Sequence, residues 1–569
     1  MRLSVARPVE AALLLGLVLV LNPLIYAIQT SAAGIMPDSV AYLAFAERLV
    51  SEGALLLRGW AHVDSGLVLS PLYPLLVGLT GKLTGDPMLA AQFVSQLAML
   101  ASVVLIYGFV CVVVSPWFAV LTALIVQVSA TYLFFGTAIL TEALFILVLL
   151  LALAISWRCF LHSETRAAWW IGAGCAAGLV FLTRHVGLFF VIMQIGLLGW
   201  YEFRSTERST SRLAVKLGLL LLGFSLFVGP YAYLLYSQTG HSPLVQSIRL
   251  GEYTVSSDQP DAVAEGSVEA NIIDYESLIV ERRKQRQLLP DHSEMLANVL
   301  VDNKTSGESA NIVREAWRRA SLDQLSQNLS ANIGYLRQAL GLPLLLLLGV
   351  TCATAICAEF GRKRPSVPRG LPAGIIIGYL LVVSLATGLV ARYMQVLIPV
   401  AILQMSLEGH FLAQRLLPSL SLRDKRTLLS YAVILAGVVM LLPGLFTQVR
   451  LFPKPQVDAY PLSACADQLT EFDAVFALHP MHAYLVNGTY RILPNDSIEA
   501  ISRYARHTGV SWLLLTNSKH DIEERRLYRN SPWLNSGANI VEQYSSLISV
   551  SCVSASGSDI LFRFRDARE

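Results

Sequence analysis

Long apolar runs follow one another through the first four-fifths of the chain. Eleven of them come close to or exceed the roughly 18 residues that an α-helix needs to cross a bilayer. They lie near residues 10–29, 88–114, 117–136, 138–157, 167–183, 185–201, 215–236, 341–358, 371–390, 393–411 and 428–447. This pattern predicts a multi-pass α-helical membrane protein with about eleven transmembrane helices.

Longer polar segments lie between and after the apolar runs. Residues 30–87 and 240–340 read as long loops, and after residue 449 the pattern changes to short apolar runs between polar turns. In this tail, residues 474–478 and 510–515 predict buried strands with a helix between them. We therefore expect a transmembrane domain at 1–449 and a small α/β domain at 450–569.

The composition agrees with a bilayer environment. Of the 569 residues, 54% are hydrophobic and 15% are charged, whereas soluble domains carry roughly 25% charged residues. The net charge of +3 gives no basis for nucleic-acid binding. The seven cysteines form no Cys-x-x-Cys pair and no Cys/His cluster, so they predict no metal site.

Lysine and arginine in the short loops indicate the orientation. If the N-terminus is cytoplasmic, eleven spans place every strongly basic short loop inside, at 158–166, 204–212, 362–369 and 415–426. The segments 30–87, 240–340 and 450–569 then lie outside. We expect the inner (plasma) membrane, with the C-terminal domain periplasmic or extracellular. The first run has an alternative interpretation as a signal peptide, although it is longer than a usual signal core.

Two cysteines fall in the predicted outer tail, Cys465 and Cys552. A disulfide persists in an oxidising compartment, so we expect a bridge between them. The alternative is two buried thiols.

Ionisable residues at the predicted outer membrane edge are the candidates for chemistry, because charge there is costly. They are Asp38 after the first span, Glu142 at the start of the fourth, Arg184 and His185 between the fifth and sixth, and Arg392 with Tyr393 at the start of the tenth. A carboxylate can take a proton from a hydroxyl nucleophile. Arginines can bind a lipid-linked phosphate and stabilise its charge as it leaves. The set suits transfer of a sugar from a polyprenyl carrier.

Simpler interpretations of the same residues stay open. Asp38 could cap a helix at 39–51. Glu142 could anchor its helix end or pair with Arg184, and Arg184 and Arg392 could fix the depth of their helices in the bilayer. His185 and the tyrosines at 42 and 393 could be packed interface residues.

An ordered set of short motifs runs through the first 410 residues. The motifs are Asp38-x3-Tyr42-x3-Ala46-x2-Leu49-x3-Gly53, Ser-Pro-Leu-Tyr-Pro-Leu at 70–75, Thr141-Glu142, Phe181-Leu182-Thr183-Arg184, and Arg392-Tyr393 with Pro399. In this order the chain resembles the GT-C glycosyltransferases, in the branch of the protein O-mannosyltransferases and the lipid A aminoarabinose transferase. The tail resembles the soluble domain of many members.

The resemblance implies an inverting transferase with a polyprenyl-phosphate sugar as donor. Asp38 matches the family's catalytic acidic position and is the implied base, and Glu142 is expected as a supporting acid. Asp64 could supply a second acid or could be an ordinary loop residue. Arg184 and Arg392 are the expected phosphate ligands, with Arg249, just after the seventh span, as a weaker third candidate, and Tyr42, His185 and Tyr393 are candidate substrate contacts. No cofactor is required, although some related enzymes use a divalent metal.

One departure from the family limits what is implied about the acceptor. Protein O-mannosyltransferases carry an Asp-Glu pair where this chain has Asp38-Ser39. Protein O-mannosylation is therefore not implied, and a lipid, a glycan or a protein remains open as the acceptor.

Other functional classes predict other patterns. A lipid or glycan flippase would favour inverted repeats with charges near the bilayer midplane. A ligase of lipid-linked glycans would carry its key residues in a large late loop. In this chain the strongest candidate acid follows the first span directly.

Overall fold

The structure is a computed structural model that describes most of the predicted membrane region. It covers residues 37–53, 69–129, 138–161, 166–204, 210–239, 322–361, 370–386 and 391–416. In the C-terminal part it covers 473–478, 488–516, 531–535, 540–553 and 559–565, together with Gly16, Tyr132, Phe135, Gly136, Cys465, Gln468, Leu469, His482, Ala483, Val486, Arg525 and Tyr528. The predicted span at 428–447, and that at 10–29 apart from Gly16, lie outside the described residues.

Helices make up almost all of the described residues before residue 417. They are α1 (Pro37–Glu52), α2 (Leu72–Thr84), α3 (Pro87–Val113), α4 (Pro116–Val128), α5 (Glu142–Leu161), α6 (Ala167–Thr183), α7 (Leu188–Arg204), α8 (Thr210–Thr239), α9 (Leu322–Leu340), α10 (Leu342–Gly361), α11 (Gly370–Ala386), α12 (Ala391–Gln395) and α13 (Ile398–Leu416). A short 3-10 helix, His185–Gly187, joins α6 to α7.

Many of these helices are suited to a bilayer. In the part of the chain that the structure describes, six are long and apolar enough to cross a membrane, and 118–127, 167–183 and 370–384 are shorter apolar helices. Large apolar side chains point away from the protein, as Leu221, Leu222 and Leu226 of α8 do. Lipid tails are the natural neighbours of such a surface. The number of eleven spans stays a prediction.

One predicted span was wrong in detail. The run at 117–136 is interrupted after Val128, where the backbone turns extended at Ser129 and the Ser129 hydroxyl donates to the Val126 carbonyl oxygen at 2.6 Å. The run at 393–411 is confirmed as a candidate span, Tyr393–Leu412, with a turn at 396–397 between α12 and α13. Pro399 stands in the first turn of α13, where its missing N–H costs no hydrogen bond, so the helix restarts there.

The loop predicted at 30–87 contains two helices. One is α1, which includes the helix predicted at 39–51, and the other is α2, which follows Pro71 and was not predicted. α2 packs against both α1 and α3. α1 is thereby held against the bundle.

Glycines bring α6 and α8 into backbone contact. A Cβ atom at Gly174 of α6 would lie 2.0 Å from the Leu220 carbonyl oxygen, and one at Gly223 of α8 would lie 2.0 Å from the Ile171 carbonyl oxygen. Such close approach through small residues is common between membrane helices, where dispersion contacts replace the hydrophobic effect.

Polar contacts inside the bundle fix α13. The hydroxyls of Thr122 in α4 and Ser406 in α13 are 3.3 Å apart, and the Gln404 amide donates to the Thr351 carbonyl oxygen of α10 at 3.2 Å. Because α12 leads directly into α13, these contacts also limit where α12 lies.

The C-terminal residues form a five-stranded sheet. Its strands are β1 (Ala474–Ala477), β2 (Thr489–Ile492), β3 (Trp512–Leu515), β4 (Ile548–Val553) and β5 (Ile560–Phe564), in the order β2-β1-β3-β5-β4. β1 is parallel to β2 and β3, whereas β5 is antiparallel to β3 and β4.

The helix α14 (Ile498–Thr508) crosses from β2 to β3. The Ser497 hydroxyl accepts from the Ala500 N–H at its start, and Gly509 ends it with φ of 69°. The two predicted strands and the predicted helix between them are all present. A further short helix, α15 (Ile540–Gln543), precedes β4.

Cys465 and Cys552 are joined by a disulfide with a Cα–Cα distance of 5.8 Å. This is the pairing expected from their placement in the tail. The bridge ties the segment before β1 to β4 across 87 residues.

The glycine contact gives a prediction for stability. Gly223→Ala should lower the melting temperature of the detergent-solubilised chain, because overpacking costs roughly 1–3 kcal/mol. Gly218→Ala on the same helix is the matched control, since its Cβ would meet nothing within 4 Å. Equal melting temperatures for the two variants would contradict the backbone contact.

The disulfide gives a second prediction. Cys552→Ser should accelerate tryptic cleavage of the C-terminal part of the full chain, because loss of a native bridge costs about 2–5 kcal/mol in a small domain. Cys357→Ser removes an exposed free thiol and should leave the cleavage rate unchanged. The bridge is not structurally important if both variants are cleaved alike.

Candidate functional site

A helical hairpin brings Glu142 and Arg184 to the same end of the bundle. Glu142 is the first residue of α5, and Arg184 directly follows the last residue of α6. The two helices pack together and are joined at their opposite ends. The C-terminal end of α6 therefore returns to the N-terminal end of α5. A carboxylate in the first turn of a helix is favoured by the helix dipole.

Glu142 and Arg184 form a buried ion pair. The Arg184 Nη1 atom lies 2.6 Å from Glu142 Oε1, and the side chains are 14% and 1% exposed, respectively. Thr141 joins both groups through longer contacts: its hydroxyl accepts from Arg184 Nη1 and donates to Glu142 Oε2, each at 3.4 Å. Neither charge lies unpaired in a region of low dielectric constant, where that would be costly.

Tyr393 covers one face of the same guanidinium. The Arg184 Cζ atom lies 4.6 Å from the centre of the Tyr393 ring, within the range of a cation–π contact. Tyr393 belongs to α12, so the contact links α12 to the α5–α6 hairpin. Arg184 and Tyr393, both predicted as site residues from separate motifs, are thus brought together.

Further tyrosines bring α1 to this cluster. Tyr42 interacts electrostatically with Arg184 and meets Tyr73 edge-on, with ring centres 5.7 Å apart. The Tyr73 hydroxyl is 3.1 Å from the Ser95 hydroxyl of α3, which fixes its ring. Asp38 is half-buried, one helical turn before Tyr42, and therefore lies on the same face of α1.

His185 faces a different neighbour. Its Nε2 atom lies 2.9 Å from the Tyr231 hydroxyl of α8, and its ring lies 5.3 Å from that of Phe181. It therefore contributes to the packing of α6 and α8 beside Arg184, and its role as a substrate contact stays a prediction.

The remaining predicted site residues are not placed. Asp64 and Arg249 lie outside the described residues. The backbone of Arg392 lies in α12, and its side chain is outside the described part of the structure.

Sequence reasoning did not single out two of the tyrosines near Arg184. Tyr73 stands inside the motif at 70–75, so a signal for it was present. Tyr379 is fully buried in α11 and lies near Arg184. It lies in a continuous apolar run that carries no sign of such a contact.

The described residues offer no evident metal site. Among them, no group of three or more His, Cys, Asp or Glu side chains is arranged to hold a metal ion.

Comparison with known protein families gives one match. Residues 69–233 match the family model of dolichyl-phosphate-mannose-protein mannosyltransferases. This segment includes α2 to α7 and most of α8, and it contains both Glu142 and Arg184. No curated protein matches the sequence.

Solved structures with a similar fold include an archaeal oligosaccharyltransferase, and a further match has a lower score. The oligosaccharyltransferase of Archaeoglobus fulgidus, tethered with an acceptor peptide, has a TM-score of 0.55 at 11% identity over 97% of this chain and 74% of that chain. Another structure, AglB of the same organism with an inhibitory peptide and a dolichol-phosphate, has a TM-score of 0.51 at 12% identity over the same shares. ArnT from Cupriavidus metallidurans, bound to undecaprenyl phosphate, has a TM-score of 0.44 at 11% identity over 97% of this chain and 98% of that chain.

These comparisons confirm the predicted resemblance to the GT-C glycosyltransferases. The fold is that of the archaeal oligosaccharyltransferase, as the first two structural matches show. The matching family and the structural neighbours share the predicted class, membrane glycosyltransferase.

The ion pair predicts how the melting temperature changes when one or both of its partners are replaced. Arg184→Met should lower the melting temperature strongly, because removing one partner of a buried pair costs about 3–5 kcal/mol. The double variant Arg184→Met with Glu142→Leu should recover part of the loss, since no buried charge is left alone. Additive losses in this double-mutant cycle would contradict a coupled pair.

Proposed function

We propose that this protein transfers a sugar from a polyprenyl-phosphate carrier to an acceptor hydroxyl at the outer face of the membrane. The observation that carries the proposal is the convergence of Glu142, Arg184 and Tyr393 beside the helix that bears Asp38 and Tyr42. The family match and the fold support it, because both point to membrane glycosyltransferases.

The phosphate of the donor is assigned to Arg184. A guanidinium keeps its charge at any physiological pH and binds phosphate oxygens through directed hydrogen bonds. Arg392, in the same short helix as Tyr393, and Arg249 are the further phosphate ligands in the proposal. The archaeal neighbour was solved with a dolichol-phosphate, which is a lipid phosphate of the proposed class.

The reaction is proposed as a single displacement. Asp38 takes the proton from the acceptor hydroxyl, whose oxygen forms a bond to the anomeric carbon. The bond from that carbon to the phosphate oxygen breaks, and its electron pair leaves with the polyprenyl phosphate. The arginines stabilise the negative charge that develops there. Attack opposite the leaving group inverts the anomeric centre.

The other predicted residues have supporting roles in this proposal. Glu142 and Asp64 are the supporting acids, and Tyr42, His185 and Tyr393 are substrate contacts. No nucleotide sugar is needed, because the carrier lipid delivers the sugar.

A divalent metal has no step in this mechanism. A related structure, the Archaeoglobus fulgidus oligosaccharyltransferase, was solved in complex with Zn and sulfate. Because the described residues offer no set of three ligands for such an ion, we derive no step through a metal.

The topology is part of the proposal. About eleven spans, with the N-terminus in the cytoplasm, place Asp38, the Glu142–Arg184 pair and the C-terminal α/β domain outside the inner (plasma) membrane. Basic short loops such as 204–212 and 362–369 support this orientation. Lipids, glycans and proteins remain candidate acceptors.

The base is tested by Asp38→Asn. With labelled undecaprenyl- or dolichyl-phosphate sugars and a membrane extract as acceptor, we expect release of polyprenyl phosphate to fall by about 10²–10⁴-fold. The matched control is Glu47→Gln, which changes an exposed acid of the same helix and should retain the wild-type rate. Both variants must keep the wild-type melting temperature.

Two results would refute parts of the proposal. Wild-type release of polyprenyl phosphate that survives Asp38→Asn would remove Asp38 as the base. Movement of intact donor between the leaflets of proteoliposomes, without release of polyprenyl phosphate, would instead support a flippase.

A further inference from the structure

The described polar contacts of Arg184 all involve one of its three guanidinium nitrogens. Its described contacts with Glu142 and Thr141 are both made by Nη1, and Tyr393 covers a face of the planar group. Among the residues that the structure describes, no acceptor is bound to Nε or Nη2. These two nitrogens lie on one side of the guanidinium, and their parallel N–H bonds match two oxygens of a phosphate.

Glu142 is poorly placed to act as a base itself. Its carboxylate is 1% exposed and contacts a permanently charged guanidinium at 2.6 Å. A general base must reach the hydroxyl of the acceptor, whereas the buried Glu142 carboxylate is already in contact with Arg184. The geometry favours a role that acts through Arg184.

We infer that Glu142 and Thr141 are positioning residues that hold Arg184 by Nη1 and aim its Nε–Nη2 edge at the phosphate of the carrier lipid. This inference rests on the proposed function for its substrate class. It assigns the two residues of the Thr141-Glu142 motif to recognition of the donor phosphate, and it makes positioning of Arg184 the supporting role of Glu142.

The charges of the site give the inference a second consequence. The Glu142 carboxylate neutralises Arg184 and also repels an incoming phosphate, so its position and its charge affect binding in opposite directions. Glutamine keeps the shape of the side chain and a polar oxygen beside Nη1 but carries no charge, whereas leucine keeps neither. Comparing the two substitutions therefore separates the effect of orienting Arg184 from the effect of repelling the phosphate.

The test measures binding of undecaprenyl phosphate to the full-length protein in detergent, with undecaprenol as the control without phosphate. We expect Glu142→Leu to raise the Kd of undecaprenyl phosphate by about tenfold or more, because the arginine is no longer aimed. Glu142→Gln should restore binding to within a few-fold of the wild-type value. Thr141→Val, which removes the weaker contacts, should raise the Kd about two- to threefold.

Kinetics distinguish positioning from a merely structural role. For the leucine variant we expect a higher KM for the donor and an unchanged KM for the acceptor. Glu142→Gln should keep most of kcat. The leucine variant leaves Arg184 without its partner, so a lower melting temperature is expected in either case. A merely structural role would impair the donor and the acceptor alike.

Three results would overturn the inference. They are equal Kd values in the wild-type protein and all three variants, a wild-type protein that does not distinguish undecaprenyl phosphate from undecaprenol, and a loss of kcat by more than a hundredfold in Glu142→Gln with an unchanged Kd. If the wild-type protein binds undecaprenyl phosphate in the expected way but transfers no sugar, the proposed reaction fails and the phosphate site stands.

Discussion

The ion pair between Glu142 and Arg184 is the contact on which this end of the helical bundle depends. Each partner needs the other, because an isolated charge at that burial would be far less stable than one in water. The pair exists only if α5 and α6 form a hairpin of matched length, so that the start of one helix meets the end of the other. Tyr393 then extends the constraint to α12, and Tyr42 extends it to α1.

Local sequence signals account for much of this architecture. The apolar runs predicted the membrane helices, the motifs predicted that Asp38, Glu142, Arg184 and Tyr393 matter, and the tail predicted its strands and its bridged cysteines. The turn between α12 and α13 was not predicted. A proline is compatible with the first turn of a helix, so it gave no sign that another short helix precedes it. The position of Tyr379 near Arg184 was also not predictable, because it depends on how α11 packs against its neighbours.

The comparisons and the site answer different questions. A fold shared with an oligosaccharyltransferase at 11% identity establishes how the chain is arranged, and many substrates are compatible with one arrangement. The chemical argument comes from the side chains: a carboxylate on α1, a fixed guanidinium, and tyrosine rings packed around it. Those groups suit an anionic lipid leaving group, whereas the identity of the sugar would be decided by residues that contact its hydroxyls.

The glycine contact between α6 and α8 has a consequence for the end of α6 that precedes Arg184. At Gly174 the backbones of α6 and α8 are in contact, so the two helices cannot come closer there. Arg184 lies ten residues after Gly174, or about 15 Å along a helix. A tilt of only about 5° would therefore swing its guanidinium by roughly 1 Å, a displacement that can cost an enzyme about 10²-fold in rate. The lack of a side chain at Gly174 thus affects the position of the Arg184 guanidinium three helical turns away.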